Sequence, residues 1–401
     1  MEISQIRWTP DKGWDTPPEF ASAANLVLAF SDAGYFRQPQ CYEDLRGMFP
    51  SAHIVGCSSS GSVCDTKISD DDVVVTAVRF SRGVVRMVHA QATPGEDLQA
   101  LAAGMMGKLK TDDLRHAFVL SDGLTVNGSV LATGLNSIGI PVTGGLAGDG
   151  TRFGSTWVMA DAPASQNLVA VIGFSGDIDA RSGCAAGWRE FGAERLVTRS
   201  RDNVVFEIDH QPALALYTKY LGDMAKDLPS SGLRFPLSIR PSVQDEPVIR
   251  TLLAIDAAEN SLTFAGDVPQ GSFCRLMKTD IDSLIDGSGM AAQAANSGAG
   301  GQPSLCLVVS CVGRRLVLGQ GRDHHPLGHW PTREGRKTGQ RQGLGQLTGP
   351  VGPEIHVHDG VARTVLIESD RPGVELPDDW DGFGQRTTAS GATRFTDVVV
   401  E

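Results

Sequence analysis

Residues 72–92 read DVVVTAVRFSRGVVRMVHAQA, and this stretch decides the class of fold that the sequence predicts. Two runs rich in β-branched residues, Asp72–Phe80 and Val84–Ala92, are separated only by residues 81–83. A three-residue connection has hairpin length and leaves no room for a crossover helix, so we expect the two strands to pair antiparallel. The sequence therefore favours a mixed sheet over a doubly wound parallel one.

Outward from this pair, strand-like and helix-like segments alternate without strict βαβ order. The pattern predicts an α/β fold of layered sheets with many antiparallel strands and flanking helices. The other predicted strands are Asn25–Phe30, His53–Gly56, His116–Leu120, Pro141–Thr143, Ser155–Ala160, Leu168–Phe174, Gly183–Trp188, Arg195–Ile208, Val248–Asp256 in a hairpin with Ser261–Phe264, Phe273–Met277 and the buried Leu305–Cys311. The predicted helices are Tyr42–Phe49, Glu96–Leu109, Ser129–Ile138, Pro212–Leu228 and Thr279–Ala295.

Length, charge and cysteine usage exclude several classes of function. A chain of 401 residues with a net charge of −12 is long enough for two domains and lacks the basic surface that nucleic acids or anionic membranes require. No apolar run reaches the roughly 18 residues of a membrane span, and no secretion signal opens the chain. The seven cysteines form no CxxC pair, which is typical of a reducing compartment. We therefore expect a cytoplasmic protein.

Two loops rich in small residues are candidate ligand sites. Residues 56–61 (GCSSSG) follow a predicted strand and offer Ser58, Ser59 and Gly61, while residues 144–150 (GGLAGDG) offer Gly145 and Asp149. Backbone N–H groups and hydroxyls that converge at such loops can hold an anion or a polar small molecule. The alternative is a pair of turns whose side chains satisfy their own backbone.

Asp122 and Arg314 complete the predicted ligand-binding set. Asp122 follows the strand His116–Leu120, where α/β sheets commonly hold ligands, and would accept hydrogen bonds from a ligand amine or instead cap the next helix. Arg314 would bind a ligand carboxylate. No GxGxxG, P-loop, GxSxG or HExxH motif occurs, so no catalytic residue is predicted. A cysteine enzyme using Cys57 or Cys311 stays open as an alternative.

Histidines leave a metal or cofactor open. A haem protein needs only one axial imidazole, which His53, His89, His116 or His210 could supply, although an ordinary structural histidine is the alternative at each position. Further along the chain, two histidine groups have spacings that a metal could use but lack cysteine or carboxylate partners at standard spacing. These groups are His324 with His325 and His329, and His356 with His358.

Seven segments, in order and spacing, resemble the FIST domain family, with both its N-terminal and C-terminal modules. They are GCSSSG (56–61), the strand and SDG at 117–123, PVTGGLAGD (141–149), EIDHQPALALYTKYLG (207–222), PVIRTLLAID (247–256), LTFAGDVPQGSFCRLM (262–277) and LVVSCVGRR (307–315). The resemblance divides the chain into an N-terminal extension (1–24), a first module (25–210), a second module (211–319) and a tail (320–401).

The resemblance implies a sensory, non-enzymatic protein of bacterial signalling that binds a small ligand, for which amino acids have been suggested. A subset of the family is similar to haem-based nitric-oxide sensors that regulate histidine kinases. Because the chain shows no kinase, cyclase or receptor segment, we expect it to act through a partner protein. His210 stands where the family usually has glycine, so it inherits no family role.

The tail departs from the family pattern. The Tyr-Gly-Glu and His-Asn-Gln-Thr segments that normally close the second module are missing, and residues 320–401 hold five of the nine histidines but one lysine. We hypothesise that the coding sequence is frame-shifted after about residue 320; the alternative is a divergent native tail.

Overall fold

The computed structural model describes residues 1–64, 67–297 and 305–318, together with four short strands further on. Those strands pair as two ribbons, β21 (Pro353–His358) with β22 (Val361–Leu366) and β23 (Val374–Glu375) with β24 (Arg394–Phe395). The rest of the predicted tail, including His324, His325 and His329, lies outside the described residues, as do the side chains of His356 and His358.

The first half of the described chain carries twelve strands and four α-helices. The strands are β1 (Glu2–Thr9), β2 (Gly13–Trp14), β3 (Leu26–Ser31), β4 (His53–Ser58), β5 (Ser62–Cys64), β6 (Lys67–Ser69), β7 (Val73–Arg79), β8 (Gly83–Gln91), β9 (Leu114–Ser121), β10 (Val142–Leu146), β11 (Val158–Ala160) and β12 (Leu168–Gly176). The helices are α1 (Ala33–Phe36), α2 (Pro39–Met48), α3 (Leu98–Leu109) and α4 (Gly128–Leu135).

These elements stack in four layers, helix on sheet on sheet on helix. A six-stranded sheet (β11-β4-β3-β7-β1-β2) faces a four-stranded sheet (β10-β9-β12-β8). Leu28 and Val55 of the first sheet meet Phe118 and Ile172 of the second in one apolar cluster. Two more clusters cover the outer faces with α1 and α2 on one side and α3 and α4 on the other. Because both sheets are covered on both faces, their central strands are mostly apolar.

The layered, largely antiparallel α/β class is confirmed, but the predicted hairpin at its centre is wrong. β7 pairs with β1 and β3, whereas β8 pairs with β12 in the other sheet. Since both edges of β7 are already occupied, the connection at 81–83 carries the chain from one sheet to the other. The segment 1–24 supplies β1, which pairs with β7 from Glu2 to Trp8.

The second half forms a curled antiparallel sheet in the order β17-β16-β20-β13-β14-β19-β18, with β15 beside β14. Helix α5 packs into its apolar side through Leu214, Leu216 and Tyr217. The strands are β13 (Arg189–Arg201), β14 (Val204–Ile208), β15 (Gln211–Pro212), β16 (Leu237–Arg240), β17 (Val248–Arg250), β18 (Leu252–Asp256), β19 (Ser261–Phe264) and β20 (Phe273–Lys278). The helices are α5 (Ala213–Leu221), α6 (Ile281–Asn296) and α7 (Val312–Leu318).

Three strand predictions in this half are corrected. The run 195–208 is a hairpin of β13 and β14, because Asp202 turns the chain with φ 53°. Residues 183–188 form no regular strand. The chain here lies so close to α6 that a Cβ added at Gly187 would meet backbone atoms of Ser283 and Leu284. Segment 305–311 is neither a strand nor buried: no strand of the described chain pairs with it, and Val309 is 56% exposed.

Candidate functional site

The polar groups of the serine loop, residues 58–61, are hydrogen-bonded within the loop and to neighbouring residues of the protein. Ser58 is fully buried at the end of β4, where its Oγ accepts a hydrogen bond from the Trp157 N–H (3.0 Å) and its carbonyl accepts one from Gly148 N–H (2.9 Å). Ser59 Oγ donates to the Gly61 carbonyl at 2.6 Å, and Ser60 Oγ accepts from Gly150 N–H at 2.9 Å. The two predicted loops therefore do lie together, and these bonds fasten them to each other.

The two predicted aspartates are likewise occupied by protein donors. Asp122 is 1% exposed, and its carboxylate accepts hydrogen bonds from Thr156 Oγ1 (2.6 Å) and from the backbone N–H groups of Leu124, Thr125 and Asn167. These four donors leave little capacity for a ligand amine. These bonds instead hold the turn after β9 against the residues that directly precede β12.

Asp149 organises the loop that follows β10. Its carboxylate accepts from the N–H groups of Gly154 (2.9 Å) and Ser155 (3.1 Å) and from Arg152 Nε (2.8 Å). Arg152 also reaches Asp32. Gly145 lies apart from these bonds: an added Cβ there would meet the side chain of Val309 at 2.6 Å. The ligand roles of these loop residues stay predictions.

Arg314 is not brought to the serine loop. It is 7% exposed and donates to the carbonyls of Ala186 (3.0 Å) and Leu284 (2.7 Å) and to Ser288 Oγ. Burial lowers the pKa of its guanidinium. The adjacent Arg315, which the sequence reasoning did not select, is the cation at this loop, where it donates to the Ser60 carbonyl and to Asp70.

The four histidines lie in separate environments, and haem ligation by any of them stays a prediction. His53 Nδ1 is 2.7 Å from an Asp161 carboxylate oxygen, and His116 Nε2 is 2.8 Å from Thr143 Oγ1. His89 and His210 are exposed. None of them lines the pocket described below, and burial lowers the pKa of His116. Across the described ranges no cluster of three metal-ligating side chains occurs.

A pocket opens where β13 breaks its pairing with β20. Phe191 pairs with Leu276 and Arg195 with Cys274, so three residues, 192–194, stand opposite the single residue 275. Such an excess forms a bulge that bends the strand away from its neighbour. Gly192 makes the turn with φ 79°, which a larger side chain would strain.

The pocket lies between this bulge and α5 and encloses a volume of about 30 Å³. A buried water needs about 10–15 Å³ on this measure, so the enclosed space has room for one or two water molecules. Its walls are apolar or aromatic except at Arg195 and the two tyrosine hydroxyls. The lining residues are Phe191, Gly192, Ala193, Arg195, Ile208, Leu216, Tyr217, Tyr220, Leu237, Cys274 and Leu276.

Arg195 is held at the mouth of this pocket by two partners. Its Nε donates to Tyr220 Oη at 2.8 Å, its Nη1 donates to Asp209 at 2.7 Å, and Nη2 also bonds the tyrosine oxygen. The guanidinium carbon lies 5.4 Å from the centre of the Tyr220 ring. Burial opposes ionisation of Asp209, but the bonds from Leu196 N–H and Arg195 outweigh it, so the pKa of Asp209 is lowered.

The polar groups inside the pocket are neutral at physiological pH. Burial raises the pKa of the Cys274 thiol to about 12 and also raises the pKa of Tyr217, whose hydroxyl donates to the Phe235 carbonyl at 2.7 Å. Sequence reasoning missed this pocket. The available signal was Gly192 inside an otherwise strand-like run, because an isolated glycine in a strand often marks a bulge.

The fold is a layered α/β fold followed by a curled antiparallel sheet, and the family comparison finds two domains in the same chain. The FIST N domain model matches residues 25–211 and the FIST C domain model matches residues 213–327. The chain therefore belongs to the FIST family, a signal-transduction sensor family. Along the described residues, no helix has the length and apolarity needed to cross a membrane.

Two individual proteins are similar to this chain. An uncharacterized protein of Methanocaldococcus jannaschii is 23% identical over 308 residues, which is 69% of this chain and 58% of that protein's length. A crystal structure of a chorismatase aligns with a TM-score of 0.22 and 10% identity, covering 69% of this chain and 98% of the other. At that score the structural similarity supports no conclusion about fold or activity.

Proposed function

We propose that this protein is a cytoplasmic sensor that binds a free amino acid or a related small molecule at the β13 bulge. The observation that carries this proposal is the partly exposed ion pair of Arg195 and Asp209, which stands beside a small apolar pocket. An α-amino acid has a carboxylate and an ammonium group on one carbon, which an arginine–aspartate pair complements. The family's sensory character supports the same conclusion.

We further propose that the ligand is bound and released unchanged. Catalysis by a cysteine requires a thiolate, because the thiol is a weak nucleophile. Burial raises the pKa of Cys274 in the pocket and of Cys57 after β4 to about 12, so both are protonated near neutral pH. Cys311 accepts a hydrogen bond from Gly313 N–H at 3.4 Å, at the start of α7, and among the described residues no histidine bonds to it.

The signal would pass to a partner protein, for which a histidine kinase is our proposal. Exposed apolar side chains stand on β13, on α5 and just beyond α5, and two of them, Phe191 and Tyr220, also line the pocket. A ligand that shifts α5 would change what these side chains present to a partner. They are Phe191, Leu196, Tyr220 and Met224.

Isothermal titration calorimetry with the twenty amino acids tests the binding site. We expect at least one to bind with a stoichiometry of one, and Arg195→Gln to weaken it by roughly ten- to a hundredfold, because a charge-assisted bond is lost. Arg199→Gln is the matched control. Arg199 lies on the same strand, bonds Glu207 at 2.9 Å and stacks 4.7 Å from the centre of the Phe206 ring, but does not line the pocket. No heat with any amino acid, or equal loss in both variants, contradicts the proposal.

A further inference from the structure

We infer that strand β8 is a dimerisation edge, at which two copies of this chain pair antiparallel and join their four-stranded sheets into one continuous sheet. The basis is the length of this edge strand and the backbone groups that it leaves without a partner. β8 and Arg195 belong to different sheets, so this surface does not depend on the proposed ligand site.

β8 is the longest edge strand of the three large sheets. It runs for nine residues at the end of the order β10-β9-β12-β8 and pairs with β12 over its whole length without a register shift. The edge strands β2, β10, β11, β17 and β18 have two to five residues each. A long, regular edge presents a row of unpaired N–H and C=O groups on which another strand can pair.

The backbone groups of β8 alternate between those that face β12 and those that face away from it. Directly after β8, Ala92 N–H donates to the Asn167 carbonyl at 2.7 Å. Because hydrogen-bonded residues alternate along an antiparallel ladder, the even-numbered residues of β8 bond β12 and the odd-numbered ones face outward. Within the described chain, no residue bonds these outward N–H and C=O groups. They belong to Gly83, Val85, Met87, His89 and Gln91.

The edge also lacks the features with which proteins usually block such pairing. Its sequence, GVVRMVHAQ, contains no proline, its pairing with β12 contains no bulge, and Arg86 is its one permanently charged residue. Valine occupies three of the nine positions and favours extended backbone. An edge of this kind is expected to be covered by another strand.

A second copy of the same strand fits this edge in one symmetric register. When the two-fold axis passes between the two copies of Met87, all nine residues overlap. Val85 then lies opposite His89 of the second copy, and His89 opposite Val85. Since these residues all face outward, every outward N–H meets an outward carbonyl.

The side chains are compatible with this register. Val84, which is 47% exposed, would lie opposite Ala90 of the second copy and gain an apolar neighbour. Arg86 would lie opposite Val88 of the second copy, so no two like charges face each other directly. The edge is therefore self-complementary in its backbone and its side chains, and we assign it to a second copy of this chain.

Sedimentation of the full chain over a dilution series, together with residue-resolved amide hydrogen exchange, tests this assignment. We expect a dimer that dissociates on dilution. In the dimer, the outward amides of Val85, Met87 and His89 should exchange as slowly as their even-numbered neighbours, which bond β12. In the monomer, the same outward amides should exchange at least about tenfold faster, because each has lost its acceptor.

His89→Pro supplies the matching variant, because proline removes one outward N–H and leaves the bonds to β12 intact. A symmetric dimer loses two hydrogen bonds, so its dissociation constant should rise roughly ten- to a hundredfold. His89→Ala keeps the N–H group and should dimerise like the parent protein. Circular dichroism checks folding, and Val85→Pro, which removes the opposite outward donor, replaces His89→Pro if that variant does not fold.

Three results would overturn the inference. The first is a monomer at every concentration, and protected outward amides in that monomer would show that the same chain covers the edge. The second is a dimer whose outward amides exchange rapidly. The third is a dimer that the proline variant does not weaken more than His89→Ala. The last two results would place the interface on another surface, and none of the three changes the expected amino-acid titrations.

Discussion

The serine loop and the pocket at the β13 bulge hold similar chemical groups in opposite arrangements. At Ser58, Asp122 and Asp149 the hydroxyls and carboxylates are buried and bonded to backbone N–H groups of neighbouring turns. At the pocket, Arg195 and Asp209 stand partly exposed above an apolar cavity. Satisfied polar groups stabilise a loop, whereas a ligand requires donors and acceptors that still have capacity.

The two regions are connected through α7, which carries two consecutive arginines. Arg314 bonds the carbonyls of Ala186 in the first module and Leu284 in the second, while Arg315 bonds Ser60 and Asp70 in the first. The same short helix therefore fixes residues of both modules. The serine loop thus has a structural connection to the second module even though its own polar groups are engaged.

The largest expected effect is the loss of stability in Asp122→Ala. Removing this carboxylate leaves the Thr156 hydroxyl and three backbone N–H groups without their acceptor in a buried turn, which should lower the free energy of unfolding by about 3–5 kcal/mol. Urea denaturation measures the change. Asp122→Asn keeps one acceptor oxygen and should lose less. Ligand affinity of the folded fraction should stay within twofold, and a specific loss of affinity would instead assign Asp122 to the ligand.

A smaller loss is expected for Gly61→Ala, of about 1–3 kcal/mol. Gly61 has φ 131°, and an added Cβ would lie 2.5 Å from Arg315 Nη1, so the substitution strains the backbone and displaces the arginine. Gly150→Ala is the control, since its φ is also positive, at 62°, but nothing lies within 4 Å of its Cβ position. Thermal unfolding of the two variants separates backbone strain from the loss of the Arg315 contact. Equal destabilisation would show that the contact contributes nothing.

Several elements were predictable from sequence because their signals are local. The helix α3 lies within the predicted segment Glu96–Leu109, where apolar residues recur at helical spacing and Asp97 caps the first turn. The hairpin of β18 and β19 was also predicted, but its first strand begins at Leu252, because Val248–Arg250 forms β17 and pairs with β16. In both cases the spacing of apolar residues and the residues that cap or turn the chain lie within one short segment.

The errors arose where the structure depends on distant partners. Strand β7 does not form a hairpin with β8 because β1 and β3 already occupy both of its edges. Nothing in the sequence of residues 81–83 indicates this. Of two neighbouring arginines, 314 and 315, only the packing of α7 determines which one is buried. The pocket requires a register shift between β13 and β20, and strand-like composition alone does not reveal register.

The smallest predicted effect concerns the charge of Asp209 at the pocket mouth. Because its pKa is lower in the folded protein, ionised Asp209 stabilises the fold above its unfolded pKa of about 3.9, and this contribution is lost as the pH falls through the lowered value. Asp209→Asn should therefore reduce stability by at most about 1 kcal/mol for so accessible an ion pair. The difference from the parent protein should be constant from about pH 8 to 5 and shrink below about pH 4. Urea denaturation over this range measures it. A difference that grows in acid would mean that the fold raises the pKa of Asp209, so that the bonds from Leu196 N–H and Arg195 do not outweigh its burial.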